Sequence, residues 1–258
     1  MKASALRLAD TRIVYDDENV IKRIGLILLA TDLTSERDFA RMLPRDAVDL
    51  YCSRIAYANP TTPDNLRKMQ TKLSETAALL LPDEALDVVC YSCTAASVVI
   101  GDEEVEAAVA LGKPGAAVVT PPSAVCRGLG ALGAQRISML TPYTKETSAP
   151  MARYFEAHGF EVQGLRCFGL EDDRVMARVT PQSIVEAARE AMSESADALF
   201  ISCTALRAAE VAGEIERAIG KPVVTSNQAS VWMALRRAGV VTAIEGYGHL
   251  LRCPLTAT

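Results

Sequence analysis

LDVVCYSCTAAS (86–97) and DALFISCTALR (197–207) are the two stretches that decide the architecture. Each opens with a short apolar run, the pattern of a strand buried on both faces of a sheet. Each then turns polar at the same triplet, Ser92-Cys93-Thr94 and Ser202-Cys203-Thr204, ahead of a segment read as helix. The triplets stand 110 residues apart and are not alone. Working outward, Arg23-Ile24 pairs with Arg136-Ile137, Thr62-Pro63 with Thr180-Pro181, Gly112-Lys113-Pro114 with Gly220-Lys221-Pro222 and Gly133 with Gly239. The order is kept while the offset drifts only between 106 and 118 residues. An ordered series of this kind marks an internal duplication.

Between these anchors strands and helices alternate. Strands are expected at 24–30, 48–56, 86–93 and 115–120, then at 136–142, 160–168, 197–203 and 222–225. Helices are expected from Ser35, over 64–81, 95–111, 123–132 and 145–158, from Pro181, up to Ile219 and over 229–238. Thr62-Pro63 and Thr180-Pro181 each supply an N-cap followed by a residue suited to the first helical position. The predicted fold is α/β: two pseudo-twofold-related halves, each a roughly four-stranded parallel sheet flanked by helices, with flavodoxin-like halves and right-handed crossovers. The division reads as an N-terminal extension (1–22), a first half (23–133) with 229–258 packing back on it, and a second half (134–228). Ligands of such sheets bind beyond the carboxyl ends of the strands. The cleft between the halves is therefore lined by Asp32, Cys93, Thr94, Tyr143, Cys203, Thr204, Ser226 and Asn227.

Composition excludes several other classes. The 258 residues are 50% apolar and 23% charged, an ordinary globular balance that needs no disulfide or metal to build a core. A net charge of −5 gives no footprint for nucleic acid. The apolar runs are too short or too broken to span a bilayer, and the N-terminus does not read as a signal or transit peptide. Seven cysteines, an odd count, point to reduced thiols in the cytoplasm. With only two histidines, His158 and His249, a metal centre or a serine–histidine triad is poorly supplied.

A thiol between a strand end and a helix start meets unpaired N–H groups and the positive end of the helix dipole. That setting is expected to lower the pKa of Cys93 and Cys203. Thr94, Ser97 and Thr204 add hydroxyls that can hold a carboxylate beside them. Two thiols facing across a cleft suit proton removal from one face of a carbon and delivery to the other. A thiolate is also a strong enough nucleophile to add to a double bond. Against this stands the reading of both cysteines as small buried residues of a repeated packing motif.

CTAAS (93–97) and SCTALR (202–207) resemble the two cysteine motifs of the Asp/Glu/hydantoin racemase superfamily. IGLILLATDLTSE (24–36), LTPY (140–143) and TSNQA (225–229) resemble its branch of maleate cis–trans isomerases, arylmalonate decarboxylases and ectoine-utilisation racemase-like proteins. The resemblance implies a cofactor-independent homo-oligomer acting on a small carboxylate, with Cys93 and Cys203 catalytic and Tyr143 at a substrate carboxylate. Asp32 stands where the maleate isomerases have asparagine, and Asp172 or Asp173 falls near another of their asparagines. Asp32 instead resembles the aspartate that lies near the amino group in amino-acid racemases. Arylmalonate decarboxylases lack the first cysteine, so Cys93 argues against simple decarboxylation.

The leading expectation is an isomerase that racemises an acidic amino acid. The alternatives are a maleate-type isomerase with Cys93 as nucleophile and Cys203 as proton donor, an arylmalonate-type decarboxylase, and a non-enzymatic small-molecule binding protein. Two features read as bland. The GxGxxG of 128–133 ends a helix rather than opening one, so it is no dinucleotide fingerprint. The CxxC of 90–93 lies within a strand and places its two thiols on opposite faces. Asp32 is also placed to cap the helix that starts at Ser35.

Overall fold

Along the strand Lys22–Leu29 (β1), Ile24, Leu26 and Leu28 belong to one hydrophobic cluster and Ile27 and Leu29 to another. This two-residue alternation, with both faces buried, is what a central strand of a parallel sheet requires. The computed structural model describes residues 8–15 and 21–254; the expected N-terminal extension lies largely outside them. β1 pairs in parallel with Val48–Ile55 (β2) and Val88–Ser92 (β3), and β3 pairs with Ala117–Val119 (β4). The second sheet repeats this with Arg136–Tyr143 (β5), Glu161–Leu170 (β6), Ala198–Ile201 (β7) and Val223–Thr225 (β8). The strand orders are β2-β1-β3-β4 and β6-β5-β7-β8, the same topology twice. The duplication seen in the sequence is thus a duplication of fold.

Three helical expectations need correction. The helix placed over 64–81 is a helix Pro63–Arg67, a 3-10 turn Lys68–Lys72 and a helix Leu73–Ala78, so its register breaks twice. The helix placed over 95–111 is two helices, Thr94–Ile100 and Asp102–Gly112, parted at Gly101 with φ +107°. A side chain at Gly101 would be strained by that backbone and would meet Glu104. The third concerns the second cysteine. No helix follows Cys203 directly: 204–208 are turns and bends, and regular structure resumes with a 3-10 turn Ala209–Val211 and the helix Ala212–Ile219. The duplicated triplet therefore has two different settings.

The helix Ser226–Arg237 begins three residues before the start expected at 229. Thr225 and Gln228 form a reciprocal capping box there, with each side chain bonded to the other's backbone. This helix packs on the helices Pro121–Ala131 and Ser35–Met42 and carries the fully buried Trp232. The Trp232 indole donates to the Cys253 carbonyl at 2.8 Å and fastens the C-terminal segment. Gly128, within Pro121–Ala131, lets Leu250 of that segment approach so closely that an added Cβ would meet it at 3.0 Å.

Candidate functional site

The carboxyl ends of β3 and β7 carry Cys93 and Cys203, which are 6% and 7% exposed. Cys93 is the N-cap residue of the helix Thr94–Ile100, and the nearby Ala96 N–H favours its thiolate. Cys203 has φ +93°, a conformation that non-glycine residues rarely hold without a reason. Its sulfur accepts from the Ala205 N–H at 3.3 Å, and the Tyr143 hydroxyl and the Leu206 N–H also favour its thiolate. Neighbouring N–H groups do lower each thiol, but burial outweighs them. Cys203 is pushed up to about 11 and Cys93 well above the ordinary thiol range. The expectation of lowered thiol pKa values is therefore overturned by desolvation.

Cys93, Cys203 and Tyr143 belong to one buried cluster with Tyr57 packed against it, and a charge on Cys203 raises the Cys93 thiol while charges on both sulfurs raise Tyr143 and Tyr57. Because each thiolate raises the other thiol, the pair favours one thiol with one thiolate over two thiolates.

The other expected site residues form a buried polar seam joining the halves. Thr94 Oγ1 donates to Ser226 Oγ at 2.8 Å, and Thr204 Oγ1 to the Ser92 carbonyl at 3.2 Å. Asn227 Nδ2 donates to Asp38 Oδ2 and to the Thr204 carbonyl, both at 2.9 Å. The Ser97 hydroxyl turns back to the Cys93 carbonyl at 2.8 Å. Asp32 accepts from the Thr34 N–H, the Ser35 N–H and the Ser35 hydroxyl at 2.9, 2.8 and 2.7 Å, so it caps the helix start. Burial raises its pKa against those bonds.

Sequence reasoning missed one group and left another loosely placed. Asp173, 4% exposed, opens a short helix Asp173–Met176 that the pattern did not reveal. Its carboxylate accepts from Asn59 Nδ2 at 2.7 Å and from the Thr31 hydroxyl, and its charge raises both thiols. Asp172, by contrast, pairs at the surface with Arg174 at 2.6 Å. Asn59, next to the cis bond Asn59–Pro60, carried no sequence signal because nothing local shows that its partner lies 114 residues away.

The family model for arylmalonate decarboxylase matches residues 61–251. A maleate isomerase of Nocardia farcinica is 31% identical over 242 residues, covering 90% of this chain and 96% of that protein. The chain belongs to the arylmalonate decarboxylase family. The arylmalonate decarboxylase of Bordetella bronchiseptica is 35% identical over a shorter stretch, 51% of this chain and 56% of that one. A solved structure of the Nocardia maleate cis–trans isomerase, a cysteine-to-serine variant with a covalently bound succinylcysteine intermediate, superposes with a TM-score of 0.84 at 27% identity. It covers 90% of this chain and 98% of that one. Within the arylmalonate decarboxylase family this protein is an isomerase, and its chemistry is that of cysteine. The expectation of a passive binding protein falls with that. Among the described residues no helix is long and apolar enough to cross a membrane.

Proposed function

We propose that the protein racemises or epimerises a small amino acid at Cα, with acidic amino acids the first class to test. Cys93 and Cys203 exchange protons with opposite faces of that carbon. One thiolate takes the Cα proton and becomes a thiol. The opposite thiol gives its proton to the other face and becomes the thiolate. The enolate-like intermediate is held by peptide N–H groups and the Tyr143 hydroxyl.

The observation that carries the reading is the sign of the charge around the sulfurs. Asp173 acts on both thiols and Asp32 on Cys93. Two arginines, Arg54 and Arg207, are already paired with glutamates. Arg54 pairs with Glu36 at 2.9 Å and Arg207 with Glu210 at 3.8 Å. Like charges about 4 Å apart repel by about 4 kcal/mol at an effective dielectric of about 20. A substrate ammonium reverses that sign at Asp173. It also lowers the neighbouring thiols, which burial holds too high to ionise near neutral pH.

A second reading is maleate-type isomerisation, which the end-to-end similarity to maleate isomerases favours. There the Cys93 sulfur adds to the double bond, Cys203 protonates the adjacent carbon, and elimination after rotation gives the trans product. The same proposal places the protein in the cytoplasm, where seven free thiols stay reduced, and assembles it as a homo-oligomer, which light scattering tests. The deciding experiment is a panel of D- and L-amino acids plus maleate, followed by polarimetry and proton NMR in D₂O. Loss of optical rotation with deuterium at Cα supports racemisation. Fumarate from maleate, with a succinyl adduct on Cys93 and no amino acid turned over, replaces it with the second reading.

A further inference from the structure

Thr34 and Ser35 sit in the first half, at the start of the helix Ser35–Met42, yet their hydroxyls reach the loop of the second cysteine. Thr34 Oγ1 donates to the Ala205 carbonyl at 2.7 Å, and Ser35 Oγ lies 3.3 Å from the Thr204 carbonyl. Asn227 Nδ2 adds a second donor to the Thr204 carbonyl at 2.9 Å. All three residues are buried.

A trans peptide unit is planar, and its C=O and N–H point in opposite directions. The Thr204 carbonyl shares its unit with the Ala205 N–H, and the Ala205 carbonyl shares its unit with the Leu206 N–H. Fixing each carbonyl on one side therefore fixes where the N–H points on the other. The Ala205 N–H reaches the sulfur of Cys203 at 3.3 Å, and the Leu206 N–H acts in the same sense to favour its thiolate. No helix start supplies them, because the helix expected after Cys203 is absent.

We propose that Thr34 and Asn227 are positioning residues that build the anion-holding nest of Cys203 by gripping the two carbonyls behind it, with the Ser35 hydroxyl, committed to Asp32, packed alongside. Through Thr34 the first half thereby bears on the ionisation of the second half's cysteine. The grip also accounts for the Cys203 backbone at φ +93°: the seam over-determines the loop and holds it in a sparsely populated conformation. Cys93 is independent of this grip, since it stands at the start of its own helix Thr94–Ile100.

Thr34→Val keeps the side-chain shape and removes the donor, and Thr34→Ser restores the donor. The readout is the pH dependence of modification by methyl methanethiosulfonate, a small reagent, followed by peptide mass on the Cys203 and Cys93 peptides. The modification of Cys203 is expected to slow by roughly three- to tenfold near pH 9 in Thr34→Val and to recover in Thr34→Ser, with Cys93 unchanged. Asn227→Ala, which frees the Thr204 carbonyl, is expected to shift Cys203 in the same direction. This serves as the independent variant should Thr34→Val misfold. A Cys203 profile that stays put in the folded variants, or Cys93 and Cys203 shifting equally, overturns the proposal and leaves the seam purely structural. No substrate is involved, so the outcome is separate from the choice between amino acid and maleate.

Discussion

Asn59 donates its amide to the carboxylate of Asp173 across 2.7 Å, so a loop of the first half holds a buried negative charge of the second beside both thiols. The Thr31 hydroxyl completes that grip on the other carboxylate oxygen. A charge fixed at this point selects substrates by sign.

Asp173→Asn tests that selection. A hydrogen bond to a charged group contributes about 1.5–3 kcal/mol, so KM for an amino-acid substrate is expected to rise roughly ten- to a hundredfold. Maleate turnover is expected to improve in the same variant, because a like charge has been removed. Steady-state kinetics on both substrates checks this, and equal effects on the two would contradict it.

Tyr143→Phe removes the hydroxyl beside Cys203, and Cys203 is already pushed up to about 11 by burial. Losing a donor to the thiolate moves that pKa higher still. The alkaline-going limb of the pH–rate profile is expected to shift upward by roughly one unit, with far-ultraviolet circular dichroism unchanged. An unmoved limb would place Tyr143 on the substrate alone.

Asp38 lies buried against Asn227, and burial raises its pKa to about 6. A carboxyl raised on folding favours the folded state when protonated. Its contribution is full below about pH 4 and is lost as pH rises through about 6. Asp38→Asn keeps an acceptor for Asn227 and carries no charge to desolvate. It is expected to stabilise the protein by roughly 2–3 kcal/mol at pH 7.5 and by little near pH 4. Thermal melts at both pH values check this, and a gain independent of pH would contradict it.

The duplication made the two sheets legible, because buried strands such as β3 and β7 announce themselves as apolar runs ending at the same triplet. The two cysteines came with them. Where each side chain points could not be read. Thr94, Ser97, Thr204 and Asn227 stand at the strand ends as the spacing indicated, yet their polar atoms bond within the seam. Residue type and position fix a neighbourhood, whereas hydrogen-bond partners depend on elements brought together from the other half. The same limit hid the Asn59–Asp173 pair, the break at Gly101 and the missing helix after Cys203. Equal triplets gave unequal surroundings because their downstream residues behave differently. Ala95-Ala96-Ser97 continues into a helix, whereas the Ala205-Leu206 peptides are held from outside.

The central claim is that Cys93 and Cys203 serve opposite faces of one carbon. Its most direct test is solvent exchange in the single variants Cys93→Ser and Cys203→Ser, with each enantiomer of the turned-over amino acid in D₂O. Net racemisation is expected to be lost in both. Each variant should still place deuterium at Cα of one enantiomer only, and the two variants should choose opposite enantiomers. Full racemisation in either variant, or exchange of the same enantiomer by both, would contradict the account.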